Sequence, residues 1–306
     1  MLIVIGIILI IIGGFLVIIL KRQSAPKNYW KNIFSNSQSQ IEKKYNRLGK
    51  YKVVKKKYTA IQDNRDKKDN YYVVWYPQES GIYPLVIMVN GTGISCDKYE
   101  AVFKHFASWG YVVVGNNYGT NWDGKHAADT LDFVLNTQEI VEKVNVNKIA
   151  IGGHSQGGMG AFNAVVEYEN GNKYKVLFSL SPTNRDLGIS LQWGFDLDST
   201  NGYAYKPGKI KIPTILIAGT GKFDKDIVIP LKQMKQICDE LEGDKIMFRR
   251  SDGIDHGDIL YEANGYIIAG LDYYLKDVQE NKNIFFGKDP EIIKNSRYQD
   301  YQAQEM

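Results

Sequence analysis

Lys148-Ile149-Ala150-Ile151-Gly152-Gly153-His154-Ser155-Gln156-Gly157-Gly158 is the stretch that decides the fold. Its first four residues read as a short strand ending in glycines, and helical spacing follows from Gly158 to Glu167. Gly153 to Gly157 match G-x-S-x-G. A strand entering that motif and a helix leaving it are the context a nucleophile elbow requires. The sharp turn would expose the Ser155 hydroxyl, and side chains in place of the glycines would strike the neighbouring strand and helix. The motif alone also describes an ordinary glycine-rich turn; its placement between strand and helix is what favours a nucleophile.

Outward from this point, strands and helices alternate. Tyr51 to Tyr58, Tyr71 to Tyr76, Leu85 to Val89, Tyr111 to Val114, Val176 to Leu180, Thr214 to Ala218 and, as the last, Lys245 to Arg249 read as strands. Lys98 to Ser108, Ala127 to Leu135, Leu231 to Leu241 and Asn264 to Tyr274 have helical spacing. Strands separated by helices of this length predict βαβ units and a mostly parallel sheet flanked by helices.

A serine hydroxyl needs a base to take its proton. The chain has four histidines. His154 adjoins Ser155 and its side chain should point elsewhere. His105 lies between Phe103 and Phe106 in a helical stretch, which suits packing or capping, and His126 follows the Trp122-Asp123-Gly124 turn. His256 directly follows the last expected strand, where the order Ser, acid, His puts its base. The acid should follow the strand Thr214 to Ala218, and two carboxylates stand there. Asp226, just ahead of an apolar run and Pro230, is preferred; Asp224 competes. Its role is to fix the imidazole tautomer and stabilise the imidazolium. Acyl transfer also needs donors for the developing oxyanion. The Gln156 backbone N–H supplies one, and Asn90-Gly91-Thr92-Gly93 after Leu85 to Val89 supplies the other. Thr92 is preferred there, with Gly93 as the alternative.

With elbow, oxyanion loop, acid and base in this order, the chain resembles the α/β-hydrolase superfamily. Within it, the chain resembles the branch of chlorophyllase-like, dienelactone-hydrolase-like and cutinase-like polyester hydrolases. Val89-Asn90-Gly91-Thr92-Gly93, Lys104 to Gly110, Gly153 to Gly158 and His256-Gly257-Asp258 carry the likeness, which runs from about Tyr71 to the Phe285-Phe286-Gly287 region. The resemblance implies Ser155, Asp226 and His256 as a triad, and ester hydrolysis without metal or organic cofactor. Asn90 departs from it, standing where many relatives have the histidine of an H-G motif; the acid loop is also stretched.

Charge divides the 306 residues unevenly. Leu2 to Leu20 are nineteen residues without a charge, enough to span roughly 28 Å as a helix. No basic residue precedes them and no small-residue cleavage site follows, so they read as a single-pass anchor rather than a signal peptide. From Lys21 to Asn70 there are fifteen Lys/Arg against four Asp/Glu, a balance of +11, which leaves −7 for the rest. Residues 1–23 are accordingly assigned to the anchor, 24–48 to a basic juxtamembrane linker and 49–306 to one catalytic domain. Lys21, Arg22, Lys27 and Lys31 favour a cytoplasmic body, although long domains are exported despite such charges. Confined to the stalk, the positive charge speaks for lipid contact and not for nucleic acid.

Between Ser181 and Pro213 lies an insertion too short for a multi-helix lid. Trp193, Phe195, Tyr203 and Tyr205 in it, and Trp122 elsewhere, either wall a substrate pocket or pack the insertion onto the body. The expected substrate is a small-molecule or lipid ester. Two other functions fit the same residues: an acyltransferase or peptidase, and an inactive membrane-tethered binding module, against which the intact Ser155 and His256 speak.

Overall fold

The structure, a computed structural model, describes residues 37, 39–60, 70–194 and 205–306, with backbone alone at 191–194. Among the described residues, nine strands form one sheet: β1 (Val53–Thr59), β2 (Tyr71–Pro77), β3 (Tyr83–Val89), β4 (Val112–Asn116), β5 (Val144–His154), β6 (Tyr174–Leu180), β7 (Thr214–Ala218), β8 (Lys245–Arg250) and β9 (Tyr298–Gln304). Their order is β1-β2-β4-β3-β5-β6-β7-β8-β9. Neighbours from β4 to β8 pair in parallel; β1/β2, β2/β4 and β8/β9 are antiparallel. The longer helices are α1 (Gln40–Tyr45), α2 (Glu100–Ser108), α3 (Lys125–Asn136), α4 (Gln156–Glu167), α5 (Arg185–Gly194), α6 (Leu231–Glu240) and α7 (Asn264–Lys276).

Alternation along the strands builds two cores. Val86 and Met88 join α2 and α7 on one face of the sheet; Leu85, Ile87 and Val89 join α3, α4 and α6 on the other. Because helices cover both faces, all of β3 is buried and reads as an unbroken apolar run. The order also positions the site. The chain runs from β3 outward to β4, then returns past β3 to β5, so β3 and β5 lie side by side with Val89 opposite Gly153. In such sheets, ligands bind beyond the carboxyl ends of the strands where the order reverses.

Two expectations need correction. Lys245–Arg250 is not the last strand: β9 pairs along it as a half-exposed edge. Nor is all of 24–48 a linker. Within it, α1 is docked on α7, with the Tyr45 ring buried and 4.8 Å from Trp109. Glu42 of α1 is fully buried and accepts from Ser37 Oγ (2.8 Å), Asn295 Nδ2 (2.9 Å), Tyr298 Oη (2.9 Å) and Arg297 Nη1 (3.2 Å). An isolated carboxylate would be strongly disfavoured there, so these donors are what let α1 sit in the body. Among the described residues no helix is long and apolar enough to cross a membrane. The span expected at Leu2 to Leu20 lies outside the described residues.

Candidate active site

Strand β5 ends at His154 and α4 starts at Gln156, so Ser155 alone makes the turn, at φ 59°, ψ −124°. A non-glycine residue in that region is strained and is held there by its surroundings. Here the Ser155 N–H donates to Leu180 O (2.9 Å), and its own carbonyl accepts from Gly158 and Thr183 N–H (3.0 and 3.2 Å). The glycines have steric causes: a Cβ on Gly153 would lie 2.0 Å from Gly157 O, and one on Gly157 2.3 Å from Val89 O. Ser155 is nearly buried, 9% exposed.

The loops after β7 and β8 are tied together. Thr220 Oγ1 donates to Arg250 O (2.9 Å) and accepts from Gly253 N (3.0 Å), while Gly221 N–H donates to Ile254 O (2.8 Å). Asp252 and Gly253 both turn through left-handed backbone to bring His256 inward. His256 Nδ1 lies 2.5 Å from Asp224 Oδ1, and Phe223 meets the imidazole edge-on at 5.3 Å. The other carboxylate oxygen, Oδ2, accepts from Ser181 Oγ (2.5 Å) and Gly219 N–H (3.0 Å). Burial pushes the Asp224 carboxyl up. The facing His256 charge and the hydrogen bonds from His256, Ser181 and Gly219 outweigh this and hold it below its ordinary value.

The structure sets Asp224, the alternative, and not the preferred Asp226, against His256. Residues Asp224–Val228 form one wide helical turn in which the Ile229 N–H reaches back five residues to Asp224 O (2.9 Å). That turn aims Asp224 into the interior, at zero exposure, and leaves Asp226 exposed. Ser181 was not anticipated. It follows β6 directly, at a strained φ of 42°, with its N–H on Ile217 O (2.7 Å). Its signal was positional: a serine at the carboxyl end of the strand between those of the nucleophile and the acid.

The loop after β3 offers few free donors. Gly91 N–H donates to Tyr99 Oη and Gly93 N–H to Gly119 O, each at 2.9 Å. Gly93 is thereby taken up, while Thr92 N–H makes no hydrogen bond among the described residues. Gln156 N–H opens α4 and, as a first-turn donor, has no helical acceptor of its own. Its side-chain Oε1 accepts from Asn121 N–H (3.0 Å). Asn90 Nδ2 donates to Asn116 O (2.5 Å), bracing the start of the loop. The elbow and the base loop meet through His154, whose Nε2 lies 2.7 Å from His256 O, with ring centroids 4.6 Å apart.

The remaining residues fall elsewhere. Nε2 of fully buried His105 lies 2.9 Å from Arg47 O; burial pushes its pKa down to about 4. His126 stacks on Tyr118 at 3.9 Å. Trp122 is half-buried against the core beside α3 and α4, its carbonyl accepting from Asn163 Nδ2 (2.8 Å). Tyr205 is buried against Phe162 (5.0 Å), in the packing role. Phe195, Tyr203 and the Trp193 side chain lie outside the described residues. Among those described, no cluster of His, Cys, Asp or Glu is arranged to hold a metal ion.

A family model described as Chlorophyllase matches residues 41–185, which include the loop after β3 and Ser155 but neither Asp224 nor His256. Chlorophyllase type 0 of Chenopodium album is 27% identical over 171 residues, 49% of this chain and 48% of the relative. Chlorophyllase-1, chloroplastic, of Citrus unshiu is 27% identical over 135 residues, 40% and 39% of the two chains. Chlorophyllase-2 of Arabidopsis thaliana is 25% identical over 150 residues, 40% and 46%. The chain thus spans about half, or less, of the length of these curated relatives. The sheet order and the site beyond β3 and β5 are consistent with an α/β-hydrolase fold, and over residues 41–185 the chain is similar to the chlorophyllases, which belong to that superfamily.

Proposed function

We propose that the chain is a serine ester hydrolase in which Ser155 is the nucleophile, His256 the general base and acid, and Asp224 the residue that orients the imidazole. The observation carrying this reading is the buried Asp224–His256 contact, 2.5 Å, beside an elbow whose serine is held in strained backbone. Nδ1–H of His256 donates to Asp224, which leaves Nε2 able to accept the Ser155 proton as the hydroxyl attacks the ester carbonyl. The oxyanion that forms is met by the Thr92 and Gln156 N–H groups, fixed before the substrate arrives. The imidazolium then protonates the departing alcohol, and water resolves the acyl-enzyme by the same steps in reverse.

The resemblance to chlorophyllases supports ester bonds as the target. An apolar anchor at Leu2 to Leu20 with the body on the cytoplasmic side completes the proposal and keeps lipid esters among the substrates. Labelling with a fluorophosphonate, together with a p-nitrophenyl ester chain-length series, tests the chemistry. The full chain is expected to label and turn over; S155A is expected to do neither. An unlabelled wild type, or equal labelling of S155A, would remove the nucleophile assignment. Product analysis with alcohol or amine acceptors separates hydrolysis from acyl transfer. Both native cysteines are buried, so a single cysteine introduced on the surface reports the side of the membrane by accessibility in intact cells.

A further inference from the structure

Three hydrogen bonds run in one direction past the elbow. The Gly91 N–H donates to Tyr99 Oη (2.9 Å), Tyr99 Oη lies 3.3 Å from His154 Nδ1, and His154 Nε2 lies 2.7 Å from the carbonyl oxygen of His256. The last contact fixes the donor at Nε2. A carbonyl can only accept, so Nε2 carries the hydrogen. With the ring in its neutral form, Nδ1 is an acceptor, and the Tyr99 hydroxyl can donate to it while accepting from Gly91. Tyr99 and His154, in the middle, can then each donate and accept, an arrangement in which the bonds strengthen one another. Both side chains are almost fully buried, Tyr99 and His154 each at 1% exposure, where an unpaired polar atom is costly. A Cβ on Gly91 would lie 3.4 Å from each of His154 Nδ1, Tyr99 Oη and Ser155 Cβ, so the chain of bonds passes directly beside the nucleophile.

We propose that Tyr99 and His154 are positioning residues that lock the oxyanion loop and the backbone of His256 to opposite sides of the elbow. This rests on the reading of Ser155 as nucleophile and His256 as base. The relay acts at both ends. It occupies the Gly91 N–H, so Thr92 is the residue of that loop left to face the oxyanion, and it sets the height of the His256 main chain above Ser155. Oxyanion donors and base are then held in register by one continuous element. A shift at either end moves the other.

The test compares Y99F, H154F and the double variant in the full chain by ester kinetics, by inhibition with an alkylboronic acid that forms a tetrahedral adduct, and by fluorophosphonate labelling. Y99F keeps the buried ring and deletes the hydroxyl shared by two of the bonds. Its kcat is expected to fall about tenfold with KM within twofold, and the boronate Ki to rise by the same factor. H154F is expected to match it, and the double variant to be little worse than the poorer single one, because both break the same chain. The proposal is overturned if Y99F keeps kcat and Ki within twofold of wild type. It is also overturned if kcat falls while the boronate Ki does not move, or if the single losses multiply in the double variant. Should H154F not fold, Y99F carries the test alone. Labelling keeps the two readings apart: an unlabelled wild type refutes the nucleophile, whereas unchanged Y99F kinetics with Ser155 still labelled refutes only the relay.

Discussion

Exchanging Asp224 for asparagine replaces one carboxylate oxygen by an NH2 group and should nearly abolish turnover. In the wild type Oδ2 accepts from Gly219 N–H and Ser181 Oγ, while Oδ1 faces His256 Nδ1 at 2.5 Å. An asparagine that keeps its oxygen on Gly219 presents its NH2 to His256. Nδ1 must then accept, the ring hydrogen moves to Nε2, and the base arrives at Ser155 already protonated. Turned the other way, the NH2 opposes the Gly219 N–H, two donors facing each other in a buried site. Loss of the correct tautomer in a triad costs about 10⁴-fold in kcat, or about 5.5 kcal/mol of barrier. D226N, at an exposed position, is expected within about twofold of wild type. Turnover of a p-nitrophenyl ester under saturating conditions checks both. D224N within tenfold of wild type, or D226N falling as far as D224N, would refute the assignment of the acid. Stability supplies a second signature. The Asp224 carboxyl titrates below its ordinary value, so its contribution is whole above the unfolded pKa and is lost as pH falls through the folded one. Between pH 5 and 3 the urea midpoint of D224N should therefore decline less than that of the wild type.

Other consequences can be tested together. His105 is held neutral, with its pKa lowered from 6.5 to about 4, so the unfolded chain binds the extra proton and stability falls as pH drops from 6.5 toward 4. The loss approaches about 3 kcal/mol over that interval; H105Q should flatten the dependence in urea titrations at pH 7 and 5, and an unchanged slope would refute it. E42A leaves its buried donors short of an acceptor and should cost about 3 kcal/mol, read as a melting temperature lower by about 6 to 12 °C. A drop below 2 °C would mean that α1 is not locked by this carboxylate. For the same reason, a chain beginning at residue 37 should melt close to the full chain, and one beginning at residue 49 should melt far lower. G157A places a Cβ 2.3 Å from Val89 O and should displace the oxyanion loop, lowering kcat about 10²-fold; steady-state kinetics on the folded variant decides it.

The centre of the fold was legible because β3 and β5 are covered on both faces. Burial on both sides leaves unbroken apolar runs, and the tight strand-to-helix turn requires glycines that stand out in any reading. The choice between two aspartates was not legible. Counting toward Pro230 favoured Asp226, but the wide turn inserts one residue more than an α-turn holds and swings Asp224 inward. Strand β9 escaped because its sequence, YQDYQAQ, is polar enough for a half-exposed edge and lacks the run of a buried strand. Helix α1 was read as part of a linker with some helix because the segment around it is polar and basic. Its burial depends on Asn295, Arg297 and Tyr298, which no local window contains. Tyr99 and Ser181 were missed for a related reason, since each acts through a partner that only the closed sheet brings within reach.

The lock on α1 also sets an order in time. Glu42 and Arg297 are 255 residues apart in sequence. At about 5–20 residues per second, Arg297 is synthesised roughly 13–50 s after Glu42. For that interval α1 has neither Arg297 nor β9 to close upon, and Glu42 must remain hydrated while the central strands assemble. Completion of the body is therefore a late, long-range closure rather than a step in growth from the amino-terminal side. Folding of this chain should be slow relative to its helix content, and most exposed to misassembly just before its last edge strand arrives.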